Sequence, residues 1–268
     1  MEKIALPKKI EFKKGIEENA GSIIVEPLYP GYGMTIGNSL RRVLLSSLSG
    51  AAVVGVKIKG ASHEFMALPH IKEDILEIIL NLKQLRLKTY SDEEIKLDLS
   101  VSGKKVVKAS DISKNSQVEI VNGDLVLANI TDAAGNLNME IYVQPGRGYH
   151  MPEGAKKENK ELGYIEIDSI FSPVLLVSID VENIRVGKMT NWDKLVINVK
   201  TDGTIDFEQA FNESVKILID QFGALLPESL RAEALIEVGE EPIAEIEEVE
   251  AVSEIEEEKP KKAKKAKK

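Results

Sequence analysis

The three histidines of this sequence, His63, His70 and His150, lack the spacing that gathers imidazoles around a metal ion, and none lies in a nucleophile motif. Cysteine is absent, which excludes thiolate zinc sites, cysteine nucleophiles and disulfide scaffolds. The 44 Asp and Glu are scattered. Metal-assisted phosphoryl transfer needs carboxylates clustered around the ion, and the tight run Asp92-Glu93-Glu94 reads as a solvated turn. Gly31, Gly33 and Gly37, placed between a strand and a helix, invite a phosphate-binding reading. Their spacing is G-x-G-x-x-x-G rather than G-x-G-x-x-G, and the Gly-Lys-Ser/Thr of a P-loop is missing. The expectation is a chain with no catalytic residue, no metal ligand and no cofactor.

What remains is recognition chemistry, and it centres on the stretch from Gly31 to Gly50. At about 100° per residue, Ile36, Leu40, Val43 and Leu44 share one side of a helix, the stripe that faces a core. Asn38, Arg41, Arg42 and Leu45 share the opposite side. Two guanidinium groups flanking an apolar side chain have the composition of an interface hot spot. A solvated basic face with one exposed leucine fits the spacing equally well. Thr35 is expected as the N-cap, and Gly50 as the left-handed residue that ends the helix.

The elements that must position this helix follow from periodicity. Lys8 to Lys14 and Ser22 to Glu26 read as strands, the second closed by Pro27 and Pro30. Val54, Val56 and Ile58 alternate with Gly55, Lys57 and Lys59 as a half-buried strand does. A second helix is expected from about Ile71 to Leu85, with Ile71, Ile75, Ile78, Ile79 and Leu82 inside and Glu73, Asp74, Glu77 and Lys83 outside. Short alternating segments then run from Ile95 to Val143, and Asn122-Gly123 between two of them predicts a hairpin. Arg147, between two glycines, either ends a strand or approaches a partner's backbone; a mobile charged loop is expected around Ala155 to Glu161. Strands resume over Tyr164 to Asp168, Leu175 to Ile184 and Lys194 to Thr201. Asp206 is placed to cap the last helix, with Gln209 completing a capping box. Phe211, Val215, Leu218, Phe222 and Leu225 then form a heptad-like seam, which suits either an intramolecular core or a helix from a second copy.

With 268 residues, 43% hydrophobic and 29% charged, the composition is that of a globular protein. A net charge of -9 argues against a body that coats nucleic acid. No apolar run approaches the roughly 20 residues that span a bilayer, and the start, Met1 to Lys9, has no apolar centre of a signal peptide. The expected location is cytoplasmic. Glu237 to Glu258 is rich in glutamate and Lys259 to Lys268 in lysine, so residues 237–268 are expected to be a disordered tail.

Gly31 to Ser47 closely resembles the first long helix of the bacterial RNA polymerase alpha-subunit family. The run Glu73 to Lys83, the Gln-Pro-Gly-Arg-Gly-Tyr of Gln144 to Tyr149, and the segments Asp180 to Gly187 and Thr190 to Leu195 also resemble that family's motifs. The resemblance extends from about Pro7 to Leu226. It implies an α+β fold: a discontinuous dimerisation subdomain, a sheet plus two long helices (1–50 and 173–236), and an inserted β-rich subdomain (51–172). It implies a homodimeric, non-catalytic scaffold of a nucleotidyltransferase that nucleates assembly of the beta and beta prime subunits for transcription. Omega and sigma complete the complex, which alone meets DNA, and there is no membrane partner. Residue by residue it implies beta-subunit contact by Arg41, Arg42 and Leu45, large-subunit docking by Glu77 and Lys83, and a dimer interface containing Ile36, Leu40, Phe211, Leu218 and Phe222. For Glu77 and Lys83 a solvated, salt-bridged face remains the alternative. Phe207 stands where most of the family has proline, which alters the rigidity of the last helix's first turn. The family's helical C-terminal domain, which contacts promoter DNA and activators, has no expected counterpart after Glu237. The competing reading is a homodimeric interaction protein unrelated to the polymerase.

Overall fold

Alternating apolar residues outnumber helical stripes along this chain, and strands dominate accordingly. The computed structural model describes residues 4–151 and 163–227. In order these form β1 (Lys9–Lys14), β2 (Ala20–Leu28), α1 (Tyr32–Ser46), β3 (Ser49–Ile58), α2 (Ile75–Leu82), β4 (Leu87–Thr89), β5 (Ile95–Ser102), β6 (Lys105–Lys108), β7 (Val118–Ile120), β8 (Val126–Ile130), β9 (Asn136–Arg147), β10 (Tyr149–His150), β11 (Tyr164–Glu166), β12 (Ser169–Ile170), β13 (Val174–Val186), β14 (Met189–Thr201) and α3 (Phe207–Ala224). The protein is α+β. The expected mobile loop at 155–161 and the charged tail at 237–268 lie outside the described residues. The chain divides after Phe222; in the short described stretch beyond it, the Leu226 amide donates to the Gly223 carbonyl at 3.2 Å.

Two apolar cores form. In the first, the antiparallel sheet β1-β2-β14-β13 aligns Ile23 with Ile197 and Val25 with Leu195, and their buried side chains meet Leu40 and Leu44 of α1 and Phe207, Ala210 and Phe211 of α3. The second lies on the sheet β5-β9-β3-β4-β7, with β11 also paired to β3, and is covered by Ile75, Ile78, Ile79 and Leu82 of α2. Residues of the first core come from two stretches that flank the second in sequence.

Several local expectations are corrected by tertiary pairing. β2 does not stop at Glu26: it continues through Pro27 to Leu28, and the register against β14 shifts there, the kind of irregularity where a missing N–H is tolerated. In β3 a register shift at Val53/Gly55 turns Val53, rather than Val54, inward beside Val56 and Ile58. The Asn122-Gly123 turn makes no hairpin, because β7 pairs with β4 while β8 pairs with β6. Asn122 instead accepts the Arg86 amide and donates to the Gln84 carbonyl, both at 2.8 Å, tying down the link between α2 and β4.

Helix α2 starts later than its periodicity suggests. Ile71 bridges Ile130, and the Lys72 amide donates to the Asn129 carbonyl at 3.0 Å, so strand-like pairing replaces a first helical turn. Asp74 then caps the helix by accepting the Glu77 amide at 2.8 Å. Glu73, expected outside, is only 6% exposed; its carboxylate takes both the backbone amide and the side-chain Nδ2 of Asn129 at 2.6 Å. Burial alone pushes this carboxyl up, but the Asn129 hydrogen bonds together outweigh it and hold the group below its ordinary value.

A carboxyl lowered on folding contributes stability above its unfolded value, and that contribution is lost as pH falls through its folded value. Glu73→Ala is therefore expected to cost about 2 kcal/mol at pH 7, by leaving the half-buried Asn129 amides without their acceptor. Urea denaturation across pH checks this, with the gap between parent and variant narrowing below pH 4.5.

Candidate protein interface on helix α1

Helix α1 begins at Gly31, which takes φ 87° and has no side chain to cap with. Thr35 is not the N-cap. It lies inside the helix, and its hydroxyl donates back to the Gly31 carbonyl at 3.3 Å. The first amides are met from far away in sequence: Asp193 Oδ2, on β14, accepts the amides of Gly31 at 2.9 Å and Gly33 at 3.0 Å. Asp193 is 6% exposed. The amide cradle that makes a helix N-terminus attractive to phosphate is thus filled by the chain's own carboxylate.

The other two glycines act by size. A Cβ on Gly33 would sit 3.0 Å from the Asp193 carboxylate and from Val181 Cγ1, and one on Gly37 would sit 2.8 Å from Ile179 and 2.9 Å from Leu195. The G-x-G-x-x-x-G spacing therefore seats α1 directly on β13 and β14. At the other end the helix closes at Ser47, whose amide donates to the Val43 carbonyl at 2.9 Å. Gly50 is not the terminator. It belongs to β3, opposite Gly146, where a Cβ would fall 1.9 Å from the Phe171 carbonyl oxygen.

With α1 seated this way, its residues divide by side. Leu40 and Leu44 are buried and Ile36 and Val43 half-buried; Arg41 and Arg42 are exposed, and so is Leu45, at 36%. Helix α3 is buried only over its first turns, at Phe207, Ala210, Phe211 and Ser214. Beyond them Ile219 is 51% and Phe222 59% exposed. Between the two helices runs an apolar groove of about 290 Å³, and Ile36, Leu40, Phe211, Leu218 and Phe222 all line it, with Val215, Ile219 and Ile10. The heptad-like seam is core at one end and open groove at the other.

At the start of α3, Asp206 stands in the capping position as expected, immediately before Phe207, but it forms no capping box with Gln209. Its carboxylate accepts the Phe207 amide at 2.9 Å, and its carbonyl accepts that of Ala210 at 2.9 Å. Phe207 is a core residue rather than a mere change in backbone rigidity. Its ring lies where a Cβ on Gly21 would come within 2.5 Å, and Phe12 packs on both Phe207 and Phe211.

Glu77 and Lys83 sit on exposed positions of α2 and just after it. Lys83 is paired with Asp168, and the Tyr149 hydroxyl donates to the same carboxylate at 3.2 Å. The hydrogen bond from Lys83, opposed by burial, holds the Asp168 carboxyl below its ordinary range. Sequence reading missed Asp193, Asp168 and Tyr149, since each acts on a partner that strand pairing alone brings near. Among the described residues, no group of three or more His, Asp or Glu is arranged to hold a metal ion, and no helix is long and apolar enough to cross a membrane.

Residues 56–172 match the RNA polymerase Rpb3/RpoA insert domain family. The chain is also 47% identical over 231 residues to the DNA-directed RNA polymerase subunit alpha of Oceanobacillus iheyensis, covering 84% of this chain and 73% of that relative. The chain belongs to the bacterial RNA polymerase alpha-subunit family. Within an alpha-family chain, the matched insert coincides with the β-rich core around α2, and the α1–α3 groove lies in the other core.

Because the sheet leaves no room beside Gly37, Gly37→Leu is expected to destabilise the fold by about 3 kcal/mol, the upper range for overpacking. Chemical denaturation of the parent and the variant measures it.

Proposed function

We propose that this alpha-family chain is a non-catalytic scaffold that pairs with a second copy through the α1–α3 groove and offers Arg41, Arg42 and Leu45 to the beta subunit of the polymerase. One copy receives beta and the other docks beta prime. Glu77 and Lys83 contribute to large-subunit docking, Lys83 with its charge already shared with Asp168. Omega and sigma join the assembled complex, which works in the cytoplasm and alone meets DNA. In this reading residues 1–50 and 173–236 form the dimerisation subdomain, 51–172 the insert, and 237–268 a charged tail. The two separate cores and the family match over 56–172 support that division.

The observation that carries the proposal is the division of α1. Ile36 and Leu40 join Phe211, Leu218 and Phe222 in one apolar groove, while both arginines stay exposed beside Leu45. Exposed aromatic and aliphatic side chains along one seam are what a matching copy covers, and Arg beside an apolar anchor is a frequent hot-spot composition. Membership of the polymerase family weighs against an interaction protein without polymerase partners.

Two variants test the two sides. Phe222→Asp is expected to weaken self-association at least 30-fold by sedimentation equilibrium, the equivalent of about 2 kcal/mol at a hot spot, with the monomer still folded. Arg42→Glu is expected to leave the dimer intact and to cut recovery of the beta subunit at least tenfold in a pull-down with co-expressed large subunits. Undiminished recovery would remove that contact.

A further inference from the structure

At the start of α1 the Tyr32 amide donates to the Tyr29 carbonyl at 3.0 Å, and the amides on either side of it depend on one side chain outside the helix. A helix start leaves several amides without intrahelical partners, and a residue in the left-handed conformation without a side chain, Gly31, supplies none. The Thr35 hydroxyl, four residues on, donates away to the Gly31 carbonyl. The amides of Gly31 and Gly33 are instead held by Asp193, which is embedded in β14 between its two neighbours in the sheet, paired with Asn183 on one side and Leu28 on the other. The carboxylate is as fixed as the sheet. The close approach of Gly33 to that carboxylate and to Val181 means that cap and packing are one contact.

We propose that Asp193 is the positioning residue of the interface helix: its carboxylate sets the seat of α1's first turns, and through them the affinity of one copy for another at the groove. This deepens, and rests on, the reading of that groove as the self-association surface. Of the groove residues of α1, Thr35 and Ile36 lie between the capped amides and Gly37, and Ser39 and Leu40 lie just beyond it; the cap acts on the first pair. Leu45 lies about 18 Å further along the axis than Gly33, at 1.5 Å per residue. Cap effects fade within the first turn, and the contact of Gly37 with Ile179 and Leu195 pins the helix between the two ends. Loss of Asp193 therefore acts on the groove end and spares the arginine end. Trp192, the chain's one tryptophan, stands next to Asp193 with Tyr29 6.0 Å from it and Tyr32 6.0 Å from Tyr29, so its emission reports the same place.

The test uses the full chain with Asp193→Ala and Asp193→Asn, read by amide exchange and sedimentation equilibrium. For Asp193→Ala the expected result is about tenfold faster exchange over residues 31–36, altered Trp192 emission, and a self-association constant weaker by about tenfold, with exchange in β3 and β9 unchanged. Asn, which keeps one acceptor oxygen, is expected to return both quantities to within about threefold of the parent. Unchanged exchange at 31–36 overturns the proposal, as does self-association within twofold of the parent despite faster exchange. Loss of protection across both cores in both variants also overturns it, since that is a general structural role. A monomeric parent overturns the groove reading and this proposal together, whereas a dimeric parent with an insensitive Asp193→Ala overturns this proposal alone.

Discussion

One carboxylate meeting two amides holds the arrangement together. The hydrogen bonds from the Gly31 and Gly33 amides to Asp193 join the first turn of α1 to the middle of a four-stranded sheet. An unmatched amide or carboxylate in that buried place is costly, so each group requires the other. Once this end is fixed, Gly37 lets the helix lie flat on Ile179 and Leu195, and the side-chain directions follow from helical geometry alone. Leu40 and Leu44 go into the core, the groove opens toward α3, and the arginines face outward. A fold in which α1 rolled by one residue would bury Arg41 or expose Leu40, which is why the glycine contacts matter to recognition as much as to packing.

The second core bears on the first through a narrow joint. β3 leaves α1 at Ser49 and pairs with β9, and at Gly50 and Gly146 the two strands pass so close to Phe171 that neither has room for a side chain. Arg86, just beyond α2, reaches to 4.0 Å from Asp202, in the turn before α3. Lys83, Asp168 and Tyr149 make a second polar tie, joining the end of α2 to β10 and the loop before β12. These contacts hold α2 and its exposed Glu77 in a defined place while the two cores keep separate sets of apolar side chains.

What could be read from residue types was local and periodic. The stripe of α1, the inward Ile75, Ile78, Ile79 and Leu82 of α2, and most strand positions announce themselves by spacing, because each is set by neighbours three, four or two residues away. What escaped was fixed by partners far off in the chain. Glu73 looked like a surface charge until Asn129 was brought to it by β8, and Asn122-Gly123 looked like a hairpin until its flanking strands found different partners. Thr35 and Gly50 were reasonable caps by type, yet the true cap comes from β14, 160 residues beyond Gly33. Spacing puts Ile36 and Leu40 on one stripe and Phe211, Leu218 and Phe222 on one seam, but that stripe and seam meet in one groove is a geometric fact that no periodicity contains.

The central claim is that α1 has two sides in use, one for a second copy and one for a larger polypeptide. Hydroxyl-radical footprinting of the chain over rising concentration, and then with the beta subunit added, measures both sides at side-chain level. The account predicts that oxidation of Leu218, Ile219 and Phe222 falls as concentration rises while Leu45 stays reactive, and that Leu45 is protected only when the beta subunit is present. Reactivity of Phe222 that does not depend on concentration, or protection of Leu45 in step with Phe222 before any partner is added, would contradict it.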